Sequence, residues 1–165
     1  MGSEMCIRDS GYTAKFMCQN FSKKNWEVFC TTRFKEKAKE INSLNATPVF
    51  FDDEEKIESI LSKNSYILST APPENGKDPV IENYGYLFKK NRERIKWAGY
   101  LSTTSVYGDK KGGWVTEDTV LEPNLERSIS RVAAEKSWLR FGENFSIKTM
   151  IFRLAGIYGL SLIHI

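Results

Sequence analysis

Short apolar runs alternate along this chain with segments of helical period, and this alternation constrains the fold more than any other feature. "WEVFCTTR" (26–33), "TPVFF" (47–51) and "SYILST" (65–70) are rich in β-branched and aromatic residues and read as strands. "KWAGYLSTTSVYG" (96–108) and "KTMIFRLAGIYG" (148–159) each contain one more. Between them, Ala14, Met17, Cys18 and Phe21 recur at i, i+3, i+4 and i+7, the spacing of one helix face. Phe34–Leu44 is charged and helix-prone, Ile57, Ile60 and Leu61 mark a helix, and Val80, Ile81, Tyr84, Leu87 and Phe88 mark another. Ser128–Phe141 is a further helix. Strand and helix in turn imply βαβ units, hence an α/β fold: a doubly wound parallel sheet with helices on both faces and right-handed crossovers. Ligands of such sheets bind beyond the carboxyl ends of the strands, at the switch point of strand order. Candidate functional residues are therefore sought where the apolar runs end.

The termini bear on how much of the chain enters that reading. "MGSEMCIRDS" (1–10) back-translates as GTG GGC TCG GAG ATG TGT ATA AGA GAC AG-, and "LSLIHI" (160–165) as CTG TCT CTT ATA CAC ATC. The first resembles a transposon adapter of shotgun DNA libraries, and the second is the reverse complement of the same mosaic end. Residues 1–10 and 160–165 are accordingly read as adapter-derived and set aside, leaving 11–159 as the native domain. On this reading the strand that should precede Gly11 is missing, and the chain stops short at its carboxyl side.

The remaining ~150 residues suit one domain. The whole chain is 41% hydrophobic with a formal charge of +3; setting aside Arg8, Glu4 and Asp9 moves the balance to +4. No basic run is long enough to point to nucleic acid, and no native run approaches the ~20 apolar residues of a membrane span. Cys18 and Cys30 lack metal-knuckle spacing, lie in apolar patterns and read as buried free thiols, which suits a cytoplasmic location. The one histidine, His164, falls in the adapter-like tail, so a mechanism based on a native histidine has no support; no metal site is expected.

Three strand ends carry candidate contacts. Gly11 leads a helix, where bare backbone N–H groups can approach a pyrophosphate; helix-leading glycines are also common without any ligand. Thr31-Thr32-Arg33 closes the run at 26–33, where a dinucleotide fold meets the adenosine ribose. An arginine there offers a bidentate fork to a 2′-phosphate, with Lys35 and Lys37 nearby; the alternative is a solvated arginine at a strand end. Ser69-Thr70-Ala71-Pro72-Pro73 closes the run at 65–70, where small residues admit a cofactor, or where the prolines simply stop the strand.

"LSTTSVYG" (101–108), "TEDTVLEP" (116–123), "SRVAAEKSWL" (130–139) and "FRLAGIYG" (152–159), in this order, resemble the NAD(P)-dependent epimerase/dehydratase family among the extended and atypical short-chain dehydrogenases/reductases. The resemblance runs from Gly11 to Gly159 and implies a Rossmann-type fold and hydride chemistry with a bound nicotinamide dinucleotide. Within "GYTA" (11–14) it implies cofactor contacts at Gly11, Thr13 and Ala14, with Asp9 where the fingerprint has its first glycine. It further implies Thr32 and Arg33 at the ribose, Asp52 near adenine, and Ser69, Thr70 and Ala71 along the middle of the cofactor. Thr103 matches the active-site Ser/Thr that hydrogen-bonds the substrate oxygen.

One departure bears on activity. The family's Tyr-x-x-x-Lys pair falls on Arg127 and Arg131. An arginine stays protonated and does not replace the acid, although Arg131 keeps a positive charge and a ribose or phosphate contact. Tyr107 is the nearest phenol in sequence; its other reading is packing beneath the loop. Two function classes stay open. One is an oxidoreductase or epimerase-like enzyme using NADP rather than NAD on a small, sugar-derived substrate. The other is a non-catalytic NADP(H)-binding regulatory or redox-sensing module. The resemblance also implies a homodimer through helices at 79–93 and 125–141 in a full-length member.

Overall fold

Six strands run parallel in one sheet, in the order β3-β2-β1-β4-β5-β6. The computed structural model describes residues 4–8, 12–63 and 65–157, the first group by backbone alone. The elements are β1 (Glu4–Arg8), α1 (Tyr12–Ser22), β2 (Glu27–Thr32), α2 (Glu36–Ser43), β3 (Thr47–Phe50) and α3 (Glu54–Leu61). They continue with β4 (Ser65–Ser69), α4 (Pro79–Lys90), β5 (Ile95–Thr103), a 3₁₀ turn (Thr104–Tyr107), α5 (Glu126–Phe145) and β6 (Thr149–Leu154). This is the doubly wound α/β architecture expected from the alternation, with the order reversing between β1 and β4.

One expectation is corrected. The first strand is present: Glu4–Arg8 pairs in parallel with Glu27–Thr31 on one side and with Ser65–Ser69 on the other. The physical reason is the position. A strand between two parallel neighbours is held by backbone hydrogen bonds along both edges, and it needs only a short apolar run. Met5, Cys6 and Ile7 provide one, whatever their codons resemble. Asp9 and Gly11 lie outside the described residues.

Alternation along the strands builds two cores. On one face, Ala14 and Cys18 of α1 and Ile41 of α2 pack with Val28 and Cys30 of β2 and Leu68 of β4. On the other, Ile57, Ile60 and Leu61 of α3, Tyr84, Leu87 and Phe88 of α4, and Ala134, Trp138 and Phe141 of α5 cover Phe29, Ile67, Ala98 and Tyr100. Cys18 and Cys30 are buried, as read from their patterns, and neither forms a disulfide among the described residues. Caps fix where helices start. Asp53 Oδ1 accepts from Lys56 N–H at 3.0 Å. Asp78 Oδ1 accepts from Val80 and Ile81 N–H at 2.8 and 3.1 Å, with Pro79 in the first turn of α4. Among the described residues no helix is long and apolar enough to cross a membrane, and no group of acidic, histidine or cysteine side chains could hold a metal ion.

Candidate functional site

Two neighbouring clefts open at the carboxyl ends of the strands. The larger, about 490 Å³, lies at the switch point and is walled by the start of α1 (Tyr12, Thr13, Ala14), the end of β4 (Thr70), the end of β5 (Ser102, Thr103), Arg131 of α5 and the segment after β6. The smaller, about 180 Å³, lies over the ends of β2 and β3 and is walled by Thr32, Arg33, Phe51, Ala71 and Glu74 among others. Thr70 belongs to one wall and Ala71 to the next, so the two clefts meet at the end of β4.

The larger cleft brings together residues that stand far apart in sequence. The amino end of α1 carries no acidic side chain in its first turn, so among the described residues no carboxylate of the helix itself competes with its N–H groups and the positive end of its dipole at this wall. Ala14 is fully buried there and leaves the backbone approachable. Thr103 ends β5, and its Oγ1 accepts from Ser105 N–H at 3.2 Å. A hydroxyl that accepts in this way keeps its own proton to donate. Tyr12 and Ser102 also wall the cleft and were not singled out from sequence; Tyr12 stood within the quoted "GYTA" stretch, and its phenol was the available signal.

Arg131 reaches the cleft from one turn inside α5. Its Nη1 donates to Tyr100 Oη at 2.9 Å, to Leu101 O at 2.9 Å and to Ala71 O at 3.3 Å. The guanidinium thereby ties the ends of β4 and β5 together and keeps its charge at the cleft wall. Arg127, four residues earlier, is exposed and is not part of that wall. Of the two arginines at the Tyr-x-x-x-Lys positions, only the second reaches the site.

Arg33 lies where the sequence argument put it, at the end of β2. Its Nη1 donates to Glu74 Oε1 at 3.2 Å, and its Cζ lies 4.9 Å from the centroid of the Phe51 ring. Thr32 shares the wall, and its Oγ1 accepts from Phe34 N–H at 3.1 Å. Asp52 does not join it. The side chain is exposed in the turn after β3, and Phe51, beside it in the same turn, lines the cleft instead. Glu74 was not anticipated. It lies 41 residues from Arg33, and only the strand order, which sets the ends of β2 and β4 on either side of β1, brings the pair together.

Tyr107 belongs elsewhere. It is buried, its Oη accepts from Arg153 Nη1 at 2.8 Å, and it lines a separate cleft beside Thr104, Glu117 and Ile151. The packing alternative describes it, and a proton-donor role at the larger cleft does not, because the phenol is held by Arg153 on the other side of the 3₁₀ turn.

A nicotinamide dinucleotide fits this set of residues. Ser69 and Ser102 present buried hydroxyls with no partner among the described residues, both at carboxyl strand ends, and Ser102 is on the cleft wall. Buried polar atoms without partners are uncommon and point to a ligand or water. Thr13, Thr103 and Arg131 wall the larger cleft, and Arg33 walls the smaller one beside it.

No protein-family model and no curated protein matches the chain. Solved structures do. A conserved protein of unknown function from Silicibacter pomeroyi DSS is 32% identical, with a TM-score of 0.84 over 96% of this chain and 54% of that one. UDP-glucuronic acid 4-epimerase from Bacillus cereus, in complex with NAD, is 23% identical, with a TM-score of 0.71 over 94% of this chain and 57% of its own. UDP-N-acetylglucosamine 4-epimerase from Bacillus cereus is 16% identical, with a TM-score of 0.71 over 96% and 55%. The chain thus spans about half the length of the solved structures it matches. Its fold is the Rossmann-like α/β fold of these solved structures.

Proposed function

We propose that this chain is the dinucleotide-binding part of an NADP(H)-dependent oxidoreductase or epimerase-like enzyme acting on a small, sugar-derived substrate, through a catalytic centre at Thr103. The observation that carries the reading is the convergence of Thr13, Thr70, Thr103 and Arg131 on one cleft at the switch point, continuous with the cleft of Arg33. The bound dinucleotide would supply or take up a hydride at a substrate carbon. The chain's own part is positional and electrostatic. Thr103 donates a hydrogen bond from its hydroxyl to the substrate oxygen while Ser105 N–H holds the hydroxyl in place. Arg131 keeps positive charge beside it. Arg33 presents a fork to the 2′-phosphate, and no carboxylate closes β2 to prefer a free ribose.

Titration of NADP and NAD by fluorescence tests the cofactor assignment. Tighter binding of NADP is expected, and Arg33→Ala should remove about 1.5–3 kcal/mol of that preference. Equal affinities, or tighter NAD binding, rule the NADP assignment out. Oxidation of NADPH with nucleotide sugars and small carbonyl compounds tests turnover.

A second reading has its own observation. With Arg127 exposed and Tyr107 bound to Arg153, neither side chain at the positions weighed for the acid faces the larger cleft. This supports a non-catalytic NADP(H)-binding module with a regulatory or redox-sensing role. Binding of NADPH without turnover on any carbonyl substrate would favour it. Pairing of two copies through the outer faces of α4 and α5 is compatible with either reading.

A further inference from the structure

Arg33 is one half of a charged pair. Its partner Glu74 stands 3.2 Å away on the loop after β4, and the two side chains are 46% and 54% exposed, open to an arriving ligand. Phe51 backs the guanidinium from the end of β3. Three strand ends therefore contribute a cation, an anion and a ring to one small cleft.

Glu74 is held by its own turn. Its N–H donates to Lys77 O at 2.9 Å, and Lys77 N–H donates back to Glu74 O at 3.0 Å. Asn75 and Gly76 between them take φ of 50° and 75°. Two consecutive left-handed residues with the Asn-Gly sequence form a tight two-residue turn, and asparagine and glycine are the residues that enter it at low cost. Asp78 then caps α4 directly after it. A carboxylate on so short a turn keeps its place when a ligand enters.

We infer that Glu74 sets the balance between phosphate and hydroxyl at this end of the cleft. This rests on the dinucleotide reading above. A 2′-phosphate that reaches the Arg33 fork comes within a few ångströms of the Glu74 carboxylate, and like charges at that distance repel. An unphosphorylated ribose meets the opposite condition, because its 2′-hydroxyl can donate to the same carboxylate. Arg33 and Glu74 are thus opposed halves of one selector: the arginine favours NADP, and the glutamate restores affinity for NAD and limits the ratio between them. The pair also orients Arg33, so a useful variant must keep an acceptor while losing the charge.

Glu74→Gln does this. Calorimetric titration of the chain with 2′,5′-ADP, 5′-AMP, NADP and NAD separates the adenosine end from the rest of the cofactor. In Glu74→Gln, 2′,5′-ADP is expected to bind about five- to tenfold more tightly, from removal of one like charge near 4 Å in a solvated setting. Binding of 5′-AMP should be unchanged or weaker. Glu74→Asp should keep the wild-type ratio, and an unchanged melting curve for Glu74→Gln shows the turn intact. A ratio of 2′,5′-ADP to 5′-AMP affinity that does not move in Glu74→Gln overturns the role of Glu74 and leaves the dinucleotide reading standing. A wild-type chain that binds none of the four ligands overturns both.

Discussion

Arg153 holds Glu135 with two of its nitrogens: Nη2 donates to Oε2 at 2.9 Å, and Nε lies 3.2 and 3.3 Å from the two carboxylate oxygens. Glu135 is 2% exposed. The remaining nitrogen, Nη1, donates to Tyr107 Oη at 2.8 Å and to Glu117 O at 3.0 Å. One guanidinium on β6 therefore fastens α5, the 3₁₀ turn after β5 and the loop beyond it. The Glu135 carboxylate and the Tyr107 phenol raise the pKa of Arg153 further, so the guanidinium stays charged at any working pH.

Removing one partner of this pair strands the other in the core. Glu135→Gln and Arg153→Met should each destabilise the chain by about 3 kcal/mol, read from urea unfolding monitored by circular dichroism. The double variant Glu135→Leu/Arg153→Met should recover part of the loss, because two well-packed apolar side chains leave no charge unpaired. A single-variant loss below about 1 kcal/mol would place the pair with ordinary surface bridges.

Tyr100 makes the stability sensitive to alkali. Burial pushes its phenol up to about 12, while Arg131 beside it pulls the other way. An unfolded tyrosine releases its proton near pH 10, so between pH 10 and 12 the unfolded chain gives up a proton that the folded chain keeps. The contribution is whole below pH 10 and is lost as pH rises through 12, in all about 2–3 kcal/mol. Tyr100→Phe should lack this part of the alkaline loss. Urea midpoints of the two proteins at pH 9 and pH 11.5 give the comparison; parallel falls would contradict it.

The elements were largely legible in the sequence, and their meetings were not. The runs at 26–33, 47–51 and 65–70 correspond to Glu27–Thr32, Thr47–Phe50 and Ser65–Ser69, because strands of a parallel sheet covered on both faces leave short apolar runs as a local trace. Glu4–Arg8 was missed because residues 1–10 were set aside on the resemblance of their codons, whereas the backbone pairs this segment with both of its neighbours. Thr103 and Arg131 were readable from local motifs, and both wall the larger cleft. The pairs that decide the site's charge are different. Arg33–Glu74 and Arg131–Tyr100 join residues 41 and 31 positions apart, and their contact depends on strand order and register. Tyr107 stood beside Thr103 in the motif, yet the 3₁₀ turn carries it to Arg153, which β6 brings into reach by pairing Arg153 with Ser102.

Thr103 is the residue on which turnover should depend. Thr103→Ala removes the hydroxyl that would donate to the substrate oxygen, so the rate should fall by ~10²-fold or more while NADP affinity changes little. Thr103→Ser keeps the donor and the bond from Ser105 N–H and should retain most of the rate. Single-turnover measurements with bound NADPH would separate the two. Equal loss in both variants would point to the threonine methyl and to packing.

Gly108 ends the same motif for a steric reason. Its φ is +73°, and a Cβ there would lie 2.2 Å from Glu122 O. That atom is backbone and does not swing away. Gly108→Ala should therefore cost at least about 2 kcal/mol and loosen the loop that closes over the 3₁₀ turn. Thermal unfolding would report the first effect, and faster amide exchange at Tyr107 and Gly108 the second. A melting temperature equal to wild type would remove the steric account.

The sheet face beyond β5 governs how the chain behaves in solution. The register pairs Gly99 with Met150 and Leu101 with Phe152, so these residues share one face with Trp97, whose ring lies 5.9 Å from that of Phe152. Over β2 and β4 the corresponding face is covered by α1 and α2. Over β6 no described helix lies on it, and Met150 and Phe152 remain 46% and 36% exposed. β6 is also the last strand of the order, with one backbone edge unpaired among the described residues. An apolar face beside an open edge favours association between copies. The chain should therefore self-associate at micromolar concentration. Met150→Lys with Phe152→Lys should shift it toward monomer, because charge on that face opposes stacking while leaving the backbone ladder to β5 intact. Size-exclusion chromatography with light scattering decides it. A wild-type chain that elutes as a clean monomer would show that this face is tolerated in water.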